Sequence, residues 1–188
     1  MKKIIFLAVM IAFLSMTNNQ SISAQEEVAS GKQFYSELGG SGVLFSINFD
    51  SRFVPKSRLG FGGRIGAGFC IKNIRERVDY YDNGSLYVEQ ERITKTVYTI
   101  PVGINYVFGM PTSTNTLELG ASATFLTRKV SLFYWDEPKQ GNFVGHFTFM
   151  YRITPINEGF TFRIGFTPVL GTSGDLIPMG AVGFGYAF

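Results

Sequence analysis

Cysteine, histidine and tryptophan each occur once in this chain, as Cys70, His146 and Trp135. A single cysteine excludes an internal disulfide. One histidine with no second cysteine leaves no ligand set for a structural zinc site. No metal and no cofactor is therefore expected, and Cys70 reads as a small buried residue rather than a reactive thiol. A strong charge bias is also missing. Two of the 17 basic residues are Lys2 and Lys3, so the rest stand within one charge of the 14 acidic ones. Nucleic acid as a partner would require a clustered basic footprint, and none is expected here. Beyond residue 24 there is no apolar run approaching the ~20 residues of a membrane helix.

What is present begins with a leader. Lys2 and Lys3 precede the apolar run Ile4 to Leu14, and Ser21-Ile22-Ser23-Ala24 supplies small residues before Gln25. This is the pattern of a secretory signal. Residues 1–24 are read as a removed signal peptide, 25–33 as a short N-terminal segment and 34–188 as one β-barrel domain. The leader does not end on a cysteine, so no lipoprotein anchor is expected.

The remainder alternates. In the closing segment Val182, Phe184, Tyr186 and Phe188 fall on one face, and Ala181, Gly183, Gly185 and Ala187 on the other. Successive strand residues point to opposite sides. Six earlier segments repeat the pattern: Val43 to Phe49, Leu59 to Ile71, Tyr98 to Phe108, Leu117 to Phe125, Phe143 to Ile153 and Phe160 to Phe166. Alternating segments of about 10 residues separated by turn signals are the signature of a transmembrane barrel. Lipid offers no partner to an unpaired backbone group, so such a sheet must close. The fold class expected is all-β, a small antiparallel up-and-down transmembrane β-barrel.

Seven segments do not make the even number that bacterial single-chain barrels use. Lys32 to Leu38, turning at Gly39-Gly40-Ser41-Gly42 into Val43 to Phe53, supplies an eighth strand. Asn83-Gly84 is a two-residue hairpin signal. It sets Phe69 opposite Tyr98, Ile65 opposite Val102 and Tyr80 opposite Tyr87. The turn at Ile156 to Gly159 sets Ile153 opposite Phe162 and Arg152 opposite Arg163. Pro101 falls mid-strand, where it predicts a bulge or a missing ladder bond. Val54 to Ser57, Met110 to Asn115 and Ile156 to Gly159 are short connections, expected at the periplasmic rim together with Phe188. The connections at Asn83-Gly84, Trp135 to Asn142 and Gly171 to Pro178 are longer or more polar, expected outside.

Several runs carry a family resemblance. They are Phe34-Tyr35-Ser36-Glu37-Leu38-Gly39-Gly40, the stretch Thr99 to Gly109 with Pro101 inside it, Leu117-Glu118-Leu119-Gly120-Ala121 and Phe162 to Pro168. Together they resemble an uncharacterised family of small outer-membrane β-barrel proteins from Bacteroidota, over nearly all of the mature chain. The resemblance implies a fold and a place, the outer membrane of a Gram-negative bacterium. It carries no activity and no functional residues. The terminal Phe188 resembles the signal by which barrel assembly machinery selects its clients, so that machinery and outer-membrane lipid are the expected partners.

The inward face would hold Asn48, Asp50, Arg64, Cys70, Lys72, Asn105, Glu118, His146, Arg152 and Arg163. Arg64, Asp50, Glu118, Arg152 and Arg163 read as a lumen charge network that satisfies its own buried charges; a substrate or ion path is the alternative. No Ser-His-Asp set is legible around His146, and Ser122 and Thr124 read as ordinary lumen residues, so no catalytic residue is assigned. The glycines of Gly60 to Gly66 have phosphate-loop-like spacing, but no helix follows, and they read as space for a narrow lumen. Tyr80, Tyr81, Tyr87 and Trp135 form a candidate outer contact surface or a set of interfacial aromatics. The function expected is that of a non-enzymatic outer-membrane barrel with a structural or surface-interaction role. The alternative is a narrow pore for ions or small solutes.

Overall fold

A computed structural model of the chain describes residues 31–82, 85–130, 141–170 and 176–188. The strands are β1 (Lys32–Gly39), β2 (Phe45–Arg52), β3 (Gly60–Asp82), β4 (Ser85–Gly109), β5 (Asn115–Val130), β6 (Gly141–Ile153) and β7 (Gly159–Phe166), then β8 (Val169–Leu170), β9 (Leu176–Ile177) and β10 (Gly180–Ala187). Neighbours from β1 to β7 pair antiparallel in chain order, β7 pairs with β10, and β10 pairs with β1 to close the sheet. The pairs β6–β8 and β8–β9 continue the registers of β6–β7 and β7–β10. Thus β7–β8 and β9–β10 are two barrel strands, interrupted at Thr167-Pro168 and Pro178-Met179 where proline has no N–H for the ladder. Backbone bonds bridge the gap, Thr167 N to Met179 O at 2.7 Å and Phe147 N to Pro168 O at 3.0 Å. The result is a closed barrel of eight strands.

The eighth strand is β1, as the N-terminal alternation predicts. It starts at Lys32, inside the stretch assigned to the short N-terminal segment 25–33. Both β1 and β2 are eight residues long. The two hairpin registers are as expected: Ile65↔Val102, Phe69↔Tyr98 and Tyr80↔Tyr87 between β3 and β4, and Arg152↔Arg163 and Ile153↔Phe162 between β6 and β7. Around Pro101 the β3–β4 ladder skips Gly66 and Ala67 against Ile100 and Pro101, yet the register is unchanged beyond it. Pro101 therefore costs ladder bonds without inserting a residue, and on its other side it pairs normally with Thr124.

One segment departs from its alternation. Val43 belongs by pattern with Phe45, Ile47 and Phe49 on the outward face. Instead Val43 and Leu44 are part of the β1–β2 turn. Residues Gly40–Gly42 form a single 3-10 turn with all three residues buried. Val43 packs against an inward apolar cluster of Cys70, Val97, Leu126, Val144 and Val169, joined by Ile177 and Met179. A short hairpin on a narrow barrel has folded its tip into the lumen.

The wall is uneven in height. The β2–β3 ladder ends at Phe45↔Phe69 and the β4–β5 ladder starts at Thr99↔Leu126, while β3–β4 runs on to Asp82↔Ser85. A two-stranded ribbon therefore stands beyond the barrel at the end opposite Phe188. That is the upper end of the barrel.

Candidate functional site

Inward positions carry the polar residues, and they converge. Glu118 on β5 is fully buried. It accepts from Arg152 Nη1 at 2.9 Å, from Arg163 Nη2, and from Asn105 Nδ2 at 3.2 Å. The two arginines share Oε2, and Arg64 Nη1 stands 3.9 Å from Oε1, the oxygen that Asn105 bonds. Asp50 on β2 pairs with Arg52, accepts from Asn105 Nδ2 at 2.8 Å and lies 3.7 Å from Arg152. Arg52 also donates to Asn105 and to Gly60 O at 2.9 Å. Arg64 reaches across the lumen to the Ser122 and Thr148 hydroxyls at 3.0 and 2.8 Å. The Arg163 guanidinium stacks 4.1 Å above the Tyr35 ring. Charges this deeply buried require such pairing. The five residues assigned to the lumen network are all brought together.

Both ends of this layer are covered. Below it, Arg58 in the β2–β3 connection donates to Thr154 O at 3.2 Å, Met110 O at 3.0 Å, Pro111 O at 2.6 Å and Ser113 O. It ties three strand connections across the lower mouth. Above it sits the inward turn, whose Gly42 and Ser41 carbonyls accept from the Thr99 and Thr124 hydroxyls. Side chains and backbone fill the interior, as an eight-stranded barrel allows.

Of the other inward residues, Asn48, Asn105, Cys70 and His146 are buried as expected. The side chain of Lys72 lies outside the described residues. His146 pairs in register with Ser122, whose hydroxyl accepts from Arg64. The His146 ring nitrogens have no hydrogen-bond partner among the described residues. No group of three or more His, Cys, Asp or Glu among those residues could hold a metal ion. For the outer surface, the backbone ladder sets Tyr80 opposite Tyr87; the side chains of Tyr80, Tyr81 and Tyr87, and Trp135 altogether, lie outside the described residues.

Sequence reasoning missed Gln33, Tyr35, Glu37, Arg52 and Arg58, all buried. The first three share the inward face of β1, and Arg52 continues the parity of Asn48 and Asp50, so alternation could have found these four. Nothing local marks Arg58, because its partners lie on connections distant in sequence.

No family model, curated protein or solved structure matches the chain.

Proposed function

We propose that the chain is an integral outer-membrane β-barrel of a Gram-negative bacterium, exported through a cleaved leader, with a structural or surface-interaction role and no catalysis. One observation carries this reading: the closed wall is apolar outside and polar inside. Ile47, Phe61, Ile65, Ile104, Phe149, Ile164 and Phe184 are among the outward side chains left exposed around the barrel. Exposed apolar area on this scale implies an apolar surround. From Phe61 to Ile71 the outward face runs about 33 Å along β3 at about 3.3 Å per residue. At a strand tilt of about 40° that is about 25 Å along the axis, the height of the apolar band of an outer-membrane barrel.

The filled lumen supports a structural or surface role over a narrow pore. Among the described residues, the ribbon of β3 and β4 beyond the wall offers a surface for contact outside. Phe188, whose N–H donates to Lys32 O at 2.9 Å and whose ring stacks on Phe34 at 5.7 Å, is the expected signal for barrel assembly machinery. Density-gradient fractionation of expressing cells tests the assignment. The full-length protein should band with outer membrane and run faster on gels before boiling than after. Recovery as a soluble periplasmic protein would overturn it.

A further inference from the structure

Among the described residues three carboxylates lie buried in the lumen, and two of them, Asp50 and Glu118, are fully engaged. The third, Glu37 on β1, is 1% exposed, and neither of its oxygens accepts a hydrogen bond among the described residues. Burying a carboxylate without donors is costly. The largest matching surplus is on Arg163, 2% exposed, which spends only Nη2 on Glu118 while Nε and Nη1 donate to nothing among the described residues; Arg64 leaves only Nε without an acceptor there.

We infer that Arg163 has two stations in the lumen, Glu118 below and Glu37 above, and that its exchange between them couples the charged layer to the inward β1–β2 turn. The path is laid out by the registers. Gly183 pairs with Glu37 on one side and with Arg163 on the other. The Arg163 stem lies over it: a β-carbon at Gly183 would stand 2.8 Å from Arg163 Cγ. The absent side chain leaves the arginine room to lean toward β1. Tyr35, two residues before Glu37 on the same inward face, supplies a ring beneath the guanidinium, and a cation over an aromatic face keeps favourable contact as it slides. Glu118 can release Arg163 because Arg152, Asn105 and Arg64 remain beside it. The upper station touches the turn, since a β-carbon at Gly40 would collide with the Glu37 carboxylate. Movement of Arg163 therefore changes what the turn rests on.

A double-mutant cycle on the full mature barrel in detergent micelles tests this, with Glu37→Gln and Glu118→Gln read by denaturant unfolding. If Glu37 receives Arg163 when Glu118 is neutralised, Glu118→Gln should lower the folding equilibrium constant roughly tenfold more in the Glu37→Gln background than in the wild type. Additive effects would overturn the inference. A second readout avoids the charge-removing Glu118→Gln variant. The Arg163 Nε–H resonance, followed by NMR in otherwise wild-type protein, should shift on Glu37→Gln and shift further from wild type in Glu118→Asp, which shortens the lower station. A resonance unmoved by both substitutions would likewise overturn it.

Discussion

Arg152 on β6 stands directly opposite Arg163 on β7, and one carboxylate, Glu118 on β5, bonds to both. Like charges facing across a ladder destabilise it. Here the barrel's curvature brings a third strand's carboxylate to the gap. The curved wall lets β5, two strands from β7, contribute a group to the β6–β7 pair.

Removing that carboxylate should be severe. Glu118→Gln is expected to cost about 3–5 kcal/mol, the range for leaving buried charges without their partner. Cycles of Glu118 with Arg152 and with Arg163 should each show coupling of about 0.5–3 kcal/mol in unfolding titrations. Additivity in both cycles would remove the network from the account.

The outer face should behave as a lipid surface. Ile65 and Val102 are a register pair, both exposed and near mid-wall. Arginine at either should cost about 2–4 kcal/mol when folding is measured into bilayers. An unchanged denaturant midpoint for Ile65→Arg would contradict the lipid-facing assignment.

Inward and outward glycines should be unequal. At Gly68 a β-carbon would overlap Phe45 O and stand 2.8 Å from Thr99 Oγ1, so Gly68→Ala meets backbone that cannot yield. Overpacking of this kind costs about 1–3 kcal/mol. On the outward face, Gly145→Ala would meet only Leu170 at 3.5 Å, an ordinary contact. Its stability should stay within about 0.5 kcal/mol of the wild type.

The turn should loosen before the wall does. Thr99→Val and Thr124→Val keep side-chain volume but leave the Gly42 and Ser41 carbonyls without these donors. Each should cost about 1–3 kcal/mol, the penalty for an unsatisfied buried acceptor. Hydrogen exchange at Gly40 to Val43 should accelerate while the β3–β4 amides keep their protection. Equal acceleration throughout would mean that the turn is not a separate unit.

Planar-bilayer recordings of the purified protein should show no large, stable steps, and deleting residues 78–88 should leave folding intact. Steady conductance in the wild type, enlarged by Arg152→Ala, would favour the narrow pore.

By itself the sequence determined the strands, their two faces and the hairpin registers, because these are local. A period of two sorts each residue in or out, and the Asn83-Gly84 turn sets Ile65 against Val102 without reference to the rest of the chain. The same parity placed Asp50, Arg64, Glu118, Arg152 and Arg163 inside. Only the tertiary structure decided which of them meet. Curvature and closure turn the inward faces of these strands toward one lumen, so Glu118 on β5 meets Arg64, Asn105, Arg152 and Arg163 from four other strands, and Asp50 of β2 reaches Arg152. The tertiary structure also turned Val43 inward against its own alternation. Within so narrow a barrel, the turn tip gains more by covering the apolar cluster around Val97 and Leu126 than by extending the strand.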